Sequence, residues 1–404
     1  MRILVFSQYF TPEVTAARAR LHPIAKHLAE RGHEVEVICE VPNHPEGVIL
    51  DEFRRRAVVR REFEGFSVRY VWVSTSPVKT TWSRMRFYGS YALMASLIGC
   101  TSRRPDVIFV SSPPLPAAAA AAVAAKRFRV PWVFDVRDPW PEAAVALGEL
   151  TSPSVIRAAE WLERRLYASA AAIVTVTEPF RADIATRTPN PAKIAVIPNG
   201  TTRLWLDAGA VDPDRSEFQL PTDRFVWTYA GNVGIAQGLE IAVDAAALLG
   251  DGFELMVVGS GPVLDQIRRR AEDRAPGRVS FKGLLQPEQA ARFLRASDAL
   301  LVPLAVKPEL RKFVPSKLFD CCAVGRPVIV AADGEAARLA KASEAALVVP
   351  AGDAGALADG LRRLRDDVDL RERFSERGRE FAARFLREDQ IGNLEDLLAS
   401  VARG

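Results

Sequence analysis

The stretch Phe225-Val226-Trp227-Thr228-Tyr229-Ala230-Gly231-Asn232-Val233-Gly234 carries a six-residue apolar block straight into a glycine-spaced loop. A block this short and this uniformly apolar reads as a strand buried on both faces, the condition of a parallel sheet. The glycines after it allow a tight turn and the close approach of backbone amides to a phosphate. Gln237 and Gly238 then lead into a helix.

The same pattern repeats in both directions. Downstream, apolar blocks at 254–258, 279–281, 300–303, 327–330 and 347–349 each run into a helix or a loop before one. Upstream, strands are expected at 2–10, 34–39, 67–73, 106–111, 132–138, 172–177 and 194–198. A helix at 17–31 is marked by Leu21, Ile24, Ala25 and Leu28 and closed by Gly32. Alternation of this kind predicts an α/β fold with two parallel sheets, each covered by helices. Pro198-Asn199-Gly200, then Thr201-Thr202-Arg203, breaks the pattern with turn chemistry and sets the domain junction. The tail from 370 to 404 reads as charged helix. Ligands of parallel sheets bind beyond the strands' carboxyl ends, so the informative residues should follow strands.

With 404 residues, two cores are expected. A net charge of +4 is too small to argue for nucleic acid and suits an anionic ligand or membrane surface. Cys39, Cys100, Cys321 and Cys322 form no C-x-x-C pair, and the four histidines have no zinc spacing, so reduced thiols, no metal site and a cytoplasmic location are expected. The apolar runs 88–100 and 116–125 are too short to span a bilayer, and no signal peptide is seen at the start.

Several loops carry chemistry. Gly231, Asn232 and Gly234 with Gln237 suit a phosphate, although a plain strand-to-helix turn uses the same residues. Gly259-Ser260-Gly261-Pro262 repeats the arrangement, with Gly261 the point of close approach and Pro262 fit for a first helical turn. Gly283 and Leu284 are placed with these donor-side loops. The most specific run is Arg311-Lys312-Phe313-Val314-Pro315-Ser316-Lys317-Leu318-Phe319-Asp320, followed by Gly325-Arg326-Pro327. Here a basic loop enters a helix at Pro315 or Ser316, and Lys317 lies in the first turn, against the helix dipole. A docked pyrophosphate would make sense of that cation. Asp320, one turn on, is able to accept hydrogen bonds from ribose hydroxyls; the alternative is a solvated Lys–Asp pair.

In Asp135-Val136-Arg137-Asp138-Pro139-Trp140-Pro141-Glu142, Asp135 reads as a structural ion pair. Arg137, Asp138 and Trp140 read as a site wall, with Asp138 orienting an acceptor hydroxyl or taking its proton. Tyr9 and Glu13, in the loop after the first strand, then Arg18 and His44, are the other acceptor-side candidates. The stretch 82–91 mixes Trp82, Met85, Phe87, Tyr88 and Tyr91 with Arg84 and Arg86. It fits a helix with one buried face, and also a membrane interface or a cradle for a lipid-linked acceptor.

With these residues in place, the sequence resembles glycosyltransferase family 4, of the GT-B fold. Within it, the likeness is to the bacterial branch that builds surface polysaccharides, including transferases for fucosamine-like sugars. The resemblance covers essentially the whole chain. It rests on Arg31-Gly32-His33-Glu34-Val35, Pro42-Asn43-His44-Pro45, Ser112-Pro113-Pro114, Asp138-Pro139-Trp140-Pro141-Glu142, Val196-Ile197-Pro198-Asn199-Gly200, Gly231-Asn232-Val233-Gly234, and Pro315-Ser316-Lys317 through Gly325-Arg326-Pro327. It implies two Rossmann-like domains facing a central cleft: an acceptor-binding domain over 1–202, and a nucleotide-sugar donor-binding domain over 203–384. The last helix, 385–404, is expected to pack back on the first domain. It also implies retaining, metal-independent transfer of a hexosyl- or N-acetylhexosaminyl-type sugar. The donor is a nucleotide-diphosphate sugar, UDP-linked, which is a co-substrate rather than a cofactor; the acceptor is a saccharide or a lipid-linked one. The location is cytoplasmic, with peripheral contact at the membrane's inner face. Lys317, helped by Arg311 or Lys312, by amides near Gly234 and by the helix start at Ser316, would stabilise the leaving diphosphate. Two departures stand out. Lys312 replaces the first glutamate of the family's E-x7-E motif, with Asp320 at the second, and Ala236-Gln237 replaces its arginine–lysine pair.

Two other readings share the fold. A nucleotide-sugar 2-epimerase would need extra carboxylates and histidines facing the sugar, which are sparse. A non-catalytic nucleotide-sugar-binding partner is favoured by the two departures.

Overall fold

The computed structural model describes residues 1–13, 15–43, 47–77, 80–146 and 150–404, so His44 lies outside the described residues. The chain divides into two compact units, Met1–Pro198 with Gln390–Gly404, and Asn199–Asp389.

Among the described residues the first unit holds eight strands: β1 (Arg2–Phe6), β2 (Glu34–Glu40), β3 (Val58–Phe63), β4 (Phe66–Val71), β5 (Val107–Ser112), β6 (Trp132–Val136), β7 (Ala172–Thr175) and β8 (Ile194–Val196). Their order is β3-β4-β2-β1-β5-β6-β7-β8. All neighbours are parallel except β3 and β4, an antiparallel hairpin turned at Glu64 and Gly65. Ile3 pairs with Val35 on one side and Val107 on the other, so β1 is central and its apolar residues are buried. The alanine-rich helix Leu115–Phe128 lies close on the core, with Ala117, Ala118, Ala120, Ala121 and Ala124 fully buried. Small side chains let a helix approach a sheet closely without leaving voids.

The antiparallel strand β3 was not anticipated. Val58-Val59-Arg60-Arg61-Glu62-Phe63 pairs on one side only and keeps its charges in solvent, so it lacks the apolar block that marks the inner strands. Edge strands are commonly charged, which blocks pairing with other chains.

The last helix, Arg387–Arg403, places Ile391, Leu394 and Leu398 in the first unit's core. The Glu395 carboxylate on the same helix lies 2.9 Å from His33 Nε2, 3.4 Å from Arg31 Nε and 3.6 Å from His27 Nε2.

The second unit holds β9 (Phe225–Ala230), β10 (Phe253–Val258), β11 (Val279–Gly283), β12 (Ala299–Pro303), β13 (Val328–Ala331) and β14 (Leu347–Val349). All are parallel, in the order β11-β10-β9-β12-β13-β14. Both faces are covered. Trp227, Leu255, Val257, Leu301 and Ile329 pack under the helices Glu240–Leu249, Leu264–Arg274 and Ala354–Asp366. Leu300, Val302, Val328 and Val330 pack under Lys317–Ala323 and Glu335–Ala342. Burial on both sides is why these strands read as unbroken apolar blocks. Among the described residues no helix is long and apolar enough to cross a membrane.

Leu394 is almost fully buried. Leu394→Ala should cost about 2–5 kcal/mol of the first unit's stability, read from equilibrium denaturation. A loss near zero would mean the terminal helix is not part of that core.

Candidate functional site

In the second unit the strand sequence runs outward from β9 to β11 on one side and from β12 to β14 on the other. The connections therefore reverse between β9 and β12, and a doubly wound sheet takes its ligand beyond the carboxyl ends at that point. Gly231-Asn232-Val233-Gly234 begins there. Gln237 Oε1 accepts from the Gly234 N–H at 3.2 Å, closing the first turn.

This loop is laced to its neighbours through backbone. Gly231 N–H donates to Val258 O (2.9 Å), Val233 N–H to Ser260 O (2.9 Å) and Gly259 N–H to Gly283 O (2.7 Å). A Cβ on Gly259 would collide with the Gly231 carbonyl, and one on Gly261 with the Val233 carbonyl. The close approach expected at Gly261 is thus to another loop of the chain. Gly231 has a different cause: a Cβ there would sit 2.9 Å from Lys317 Nζ.

Lys317 is the first residue of the helix Lys317–Ala323. Its Nζ donates to Tyr229 Oη at 2.6 Å and lies 3.9 Å from the Tyr229 ring centroid. The Tyr229 hydroxyl in turn donates to the Asn232 carbonyl. Burial depresses the Lys317 ammonium to about 7. The expected conflict with a helix dipole is minor, because the helix has only seven residues and Ser316 makes no side-chain cap. Desolvation, not the dipole, discharges this amine.

Asp320 makes no ion pair with Lys317. Its Oδ1 accepts from Thr201 Oγ at 2.8 Å, and burial raises its carboxyl to about 6 against the opposing charge of Arg387. Thr201 is held by the segment around Arg387: Arg387 N–H donates to Thr201 O at 2.7 Å, Thr201 N–H donates to Phe385 O at 2.9 Å, and the Arg387 guanidinium reaches the carbonyls of Asn199 and Gly200. One carboxylate oxygen of the expected ribose ligand is therefore engaged by the segment where the chain enters this unit. Arg311 is exposed and lines a hollow of about 120 Å³ with Lys307, Leu310 and Asp333, a hollow that includes neither Lys317 nor the glycine loops. Lys312 and Pro315 are half-buried, Ser316 is exposed, and Leu284, just past Gly283, is 78% exposed.

In the first unit, Asp135 forms a bidentate pair with Arg20, at 2.9 and 3.2 Å, and accepts from Ser111 Oγ at 2.8 Å. Its reading as a structural ion pair stands. Arg137 and Asp138 follow β6 directly. Burial raises the Asp138 carboxyl, with the charge of Arg137 opposing, and lowers the Arg137 guanidinium. Trp140 packs against the core. The Nε atoms of Arg18 and Arg137 are buried without a hydrogen-bond partner. Tyr9 is half-buried, and its carbonyl accepts from Ser7 Oγ at 2.7 Å. Glu13 is buried and accepts from the Asn43 N–H at 2.6 Å, while Asn43 Nδ2 donates to Glu40 Oε1 at 2.9 Å. Burial, and then the charge of Glu13, push the Glu40 carboxyl well up.

Sequence reasoning missed Tyr229, Thr201, Arg387, Glu40 and Asn43 as members of these clusters. Tyr229 carried one signal, an aromatic hydroxyl two residues before a glycine loop. Thr201 and Arg387 carried none, because their link to Asp320 spans long stretches of chain.

A raised Asp320 means that the fold favours the neutral acid. Its contribution is complete below the ordinary value of 3.8 and is lost as pH rises through about 6. Asp320→Asn should therefore stabilise the protein by about 1–3 kcal/mol at pH 8 and leave it unchanged at pH 3.5, as read by chemical denaturation. Equal effects at both pH values would refute this.

Comparison with known proteins bears on the family and the fold. Residues 15–200 match the family model of the glycosyl transferase 4-like domain, and residues 211–381 match that of the glycosyl transferases group 1. A curated relative, the putative colanic acid biosynthesis glycosyl transferase WcaI of Escherichia coli (strain K12), is 26% identical over 343 residues, 82% of this chain and 84% of the relative. Among solved structures, sucrose-phosphate synthase from Thermosynechococcus elongatus superposes with a TM-score of 0.77 at 19% identity, over 99% of this chain and 98% of that one. Anabaena Alr3699/HepE in complex with UDP superposes with a TM-score of 0.73 at 16% identity, over 99% and 100%. The same protein has been solved in complex with UDP-glucose.

Proposed function

The chain belongs to glycosyltransferase family 4 and has the GT-B fold; on that footing we propose that it moves a sugar, with retention, from a UDP-sugar to a saccharide or lipid-linked acceptor in surface-polysaccharide synthesis. The second unit, Asn199–Asp389, is the donor side and the first the acceptor side. The observation that carries this reading is a half-buried lysine amine beside a glycine loop at the reversal point of a doubly wound sheet, with no carboxylate paired to it among the described residues. Support for UDP comes from the Anabaena protein's complexes, and for polysaccharide from the colanic acid relative.

In this reading the bond between the sugar's anomeric carbon and the β-phosphate oxygen breaks, and negative charge grows on the diphosphate. Lys317 meets that charge together with the amides of the Gly231–Gly234 loop, with no metal ion in the role. Asn232, Gln237, Gly259, Gly261, Gly283 and Leu284 shape the donor side, with Lys312, Pro315 and Ser316 beside the sugar diphosphate and Arg311 at its edge. Asp320 holds the ribose through its remaining capacity. On the acceptor side, Asp138 takes or orients the hydroxyl proton, and a buried carboxyl with a raised pKa is a stronger base for that task. Tyr9, Glu13, Arg18, Arg137 and Trp140 surround the acceptor; His44, expected with them from the sequence, lies outside the described residues. The sugar is hexosyl or N-acetylhexosaminyl, the fucosamine type included.

Calorimetric titration with UDP tests the donor side. At pH 8 the free Lys317 is mostly neutral, so binding a diphosphate should take up about one proton, seen as a dependence of the heat on buffer ionisation enthalpy. Lys317→Ala should abolish that uptake and weaken UDP by about 10- to 100-fold at pH 6. Unchanged affinity would remove Lys317 from the site. Incubation with UDP-sugars alone gives the complementary check: an epimer formed without acceptor would overturn transfer in favour of epimerisation.

The membrane contact rests on the helix Thr81–Gly99. Trp82, Leu93 and Leu97 are 67%, 61% and 55% exposed, and the helix carries Arg84 and Arg86 but no acidic residue. Such a face suits an anionic bilayer surface at the inner leaflet. Binding to phosphatidylglycerol vesicles should fall at least about tenfold in a Leu93→Glu, Leu97→Glu double variant. Equal sedimentation of variant and wild type would discard the contact.

A further inference from the structure

Tyr229 has no part in the chemistry described so far, yet it joins the two elements on which that chemistry depends. Its ring is fully buried and belongs to the apolar cluster on one face of the second unit's sheet, so packing fixes its place. Only its hydroxyl reaches polar groups. That hydroxyl donates to the Asn232 carbonyl, in the first glycine loop, and accepts from Lys317 Nζ at 2.6 Å. Burial raises the phenol's pKa, so its proton stays in place and the direction of the relay is fixed: amine to phenol to loop carbonyl.

We propose that Tyr229 is a positioning residue for the reaction, docking the Lys317 amine onto the first glycine loop and governing how readily that amine becomes charged when a diphosphate arrives. The inference rests on the donor-site reading above. An ammonium carries three N–H groups. With one committed to Tyr229 Oη, two remain for phosphate oxygens, and their directions are set by the phenol and by the ring face 3.9 Å away. Gly231 leaves the space this arrangement requires, since any Cβ there would come within 2.9 Å of Nζ. A residue serving the core alone would need the ring but not the hydroxyl. The phenol oxygen also accepts a hydrogen bond from the amine, so it is a neutral group that solvates the ammonium in a place where water is scarce. Its removal should make charging harder.

Tyr229→Phe keeps the ring and its packing and removes only the oxygen. UDP affinity of the full-length wild type, Tyr229→Phe and Lys317→Ala should be measured by calorimetry at pH 5.5 and 8.5, with thermal unfolding as the check on folding. Ionisation of UDP itself cancels between proteins at each pH. At pH 5.5 Tyr229→Phe should bind UDP within about threefold of wild type. At pH 8.5 it should bind about tenfold more weakly, the effect of a one-unit drop in the amine's pKa. A loss of the same size at both pH values, no loss at either, or an inverted profile would overturn the proposal and leave Tyr229 as a packing residue. The lysine variant separates the two levels. If Lys317→Ala weakens UDP at pH 5.5 while Tyr229→Phe shows a flat profile, the donor site stands and the positioning role falls. If Lys317→Ala changes nothing, the donor-site reading itself falls.

Discussion

An amine held away from water, with no carboxylate at its side among the described residues, is the constraint around which the second unit is arranged. Lys317 has a hydroxyl, an aromatic face and a glycine as its neighbours, all uncharged. Burying an unpaired ammonium is costly, and a protein usually avoids the cost by pairing or discharging the group. Here the amine is discharged near neutral pH, so it is available to an arriving anion without first having to leave a salt bridge. The two departures from the family's pattern gain a physical sense. With Lys312 where a glutamate usually stands, and Ala236-Gln237 in place of an arginine–lysine pair, Lys317 is the cation left beside the first glycine loop.

The rest of the unit keeps that amine in place. Three loops following β9, β10 and β11 are tied together by backbone hydrogen bonds, and two glycines exist because the loops touch. The loops therefore form one rigid rim rather than three independent turns. Rigid elements hold a charged group to a fraction of an ångström, and electrostatic catalysis depends on that accuracy. One turn along the same short helix, Asp320 is tied to Thr201 and faces Arg387, so the helix that presents Lys317 is also fastened to both segments where the chain enters and leaves the unit.

The alternation of strand and helix could be read from residues because inner parallel strands are apolar on both faces, as Ile3 to Phe6 and Val226 to Tyr229 are. The edge strand β3 could not, since half of its residues answer to solvent and its charges resemble a loop. Lys317 was legible as an anomaly, a cation at a helix start, although the cause of its perturbation proved to be burial. Tyr229 was hidden because an aromatic residue in an apolar strand looks like core, and it is core up to its oxygen. The Asp320–Thr201 bond joins the start of the unit to a helix 119 residues further on, and no local pattern encodes such a pairing. In the first unit, Asp135 was readable as a structural carboxylate, whereas Glu40, at the very end of β2, has no local signal for its burial against Asn43.

The account stands or falls on where a diphosphate sits. A crystal structure of the protein with UDP decides it. The account predicts a β-phosphate oxygen about 3 Å from Lys317 Nζ and from an amide of the Gly231–Gly234 loop, with the Tyr229 hydroxyl still bonded to both its partners. UDP bound elsewhere on the second unit, with the amine resting on Tyr229 and touching no phosphate, would contradict it.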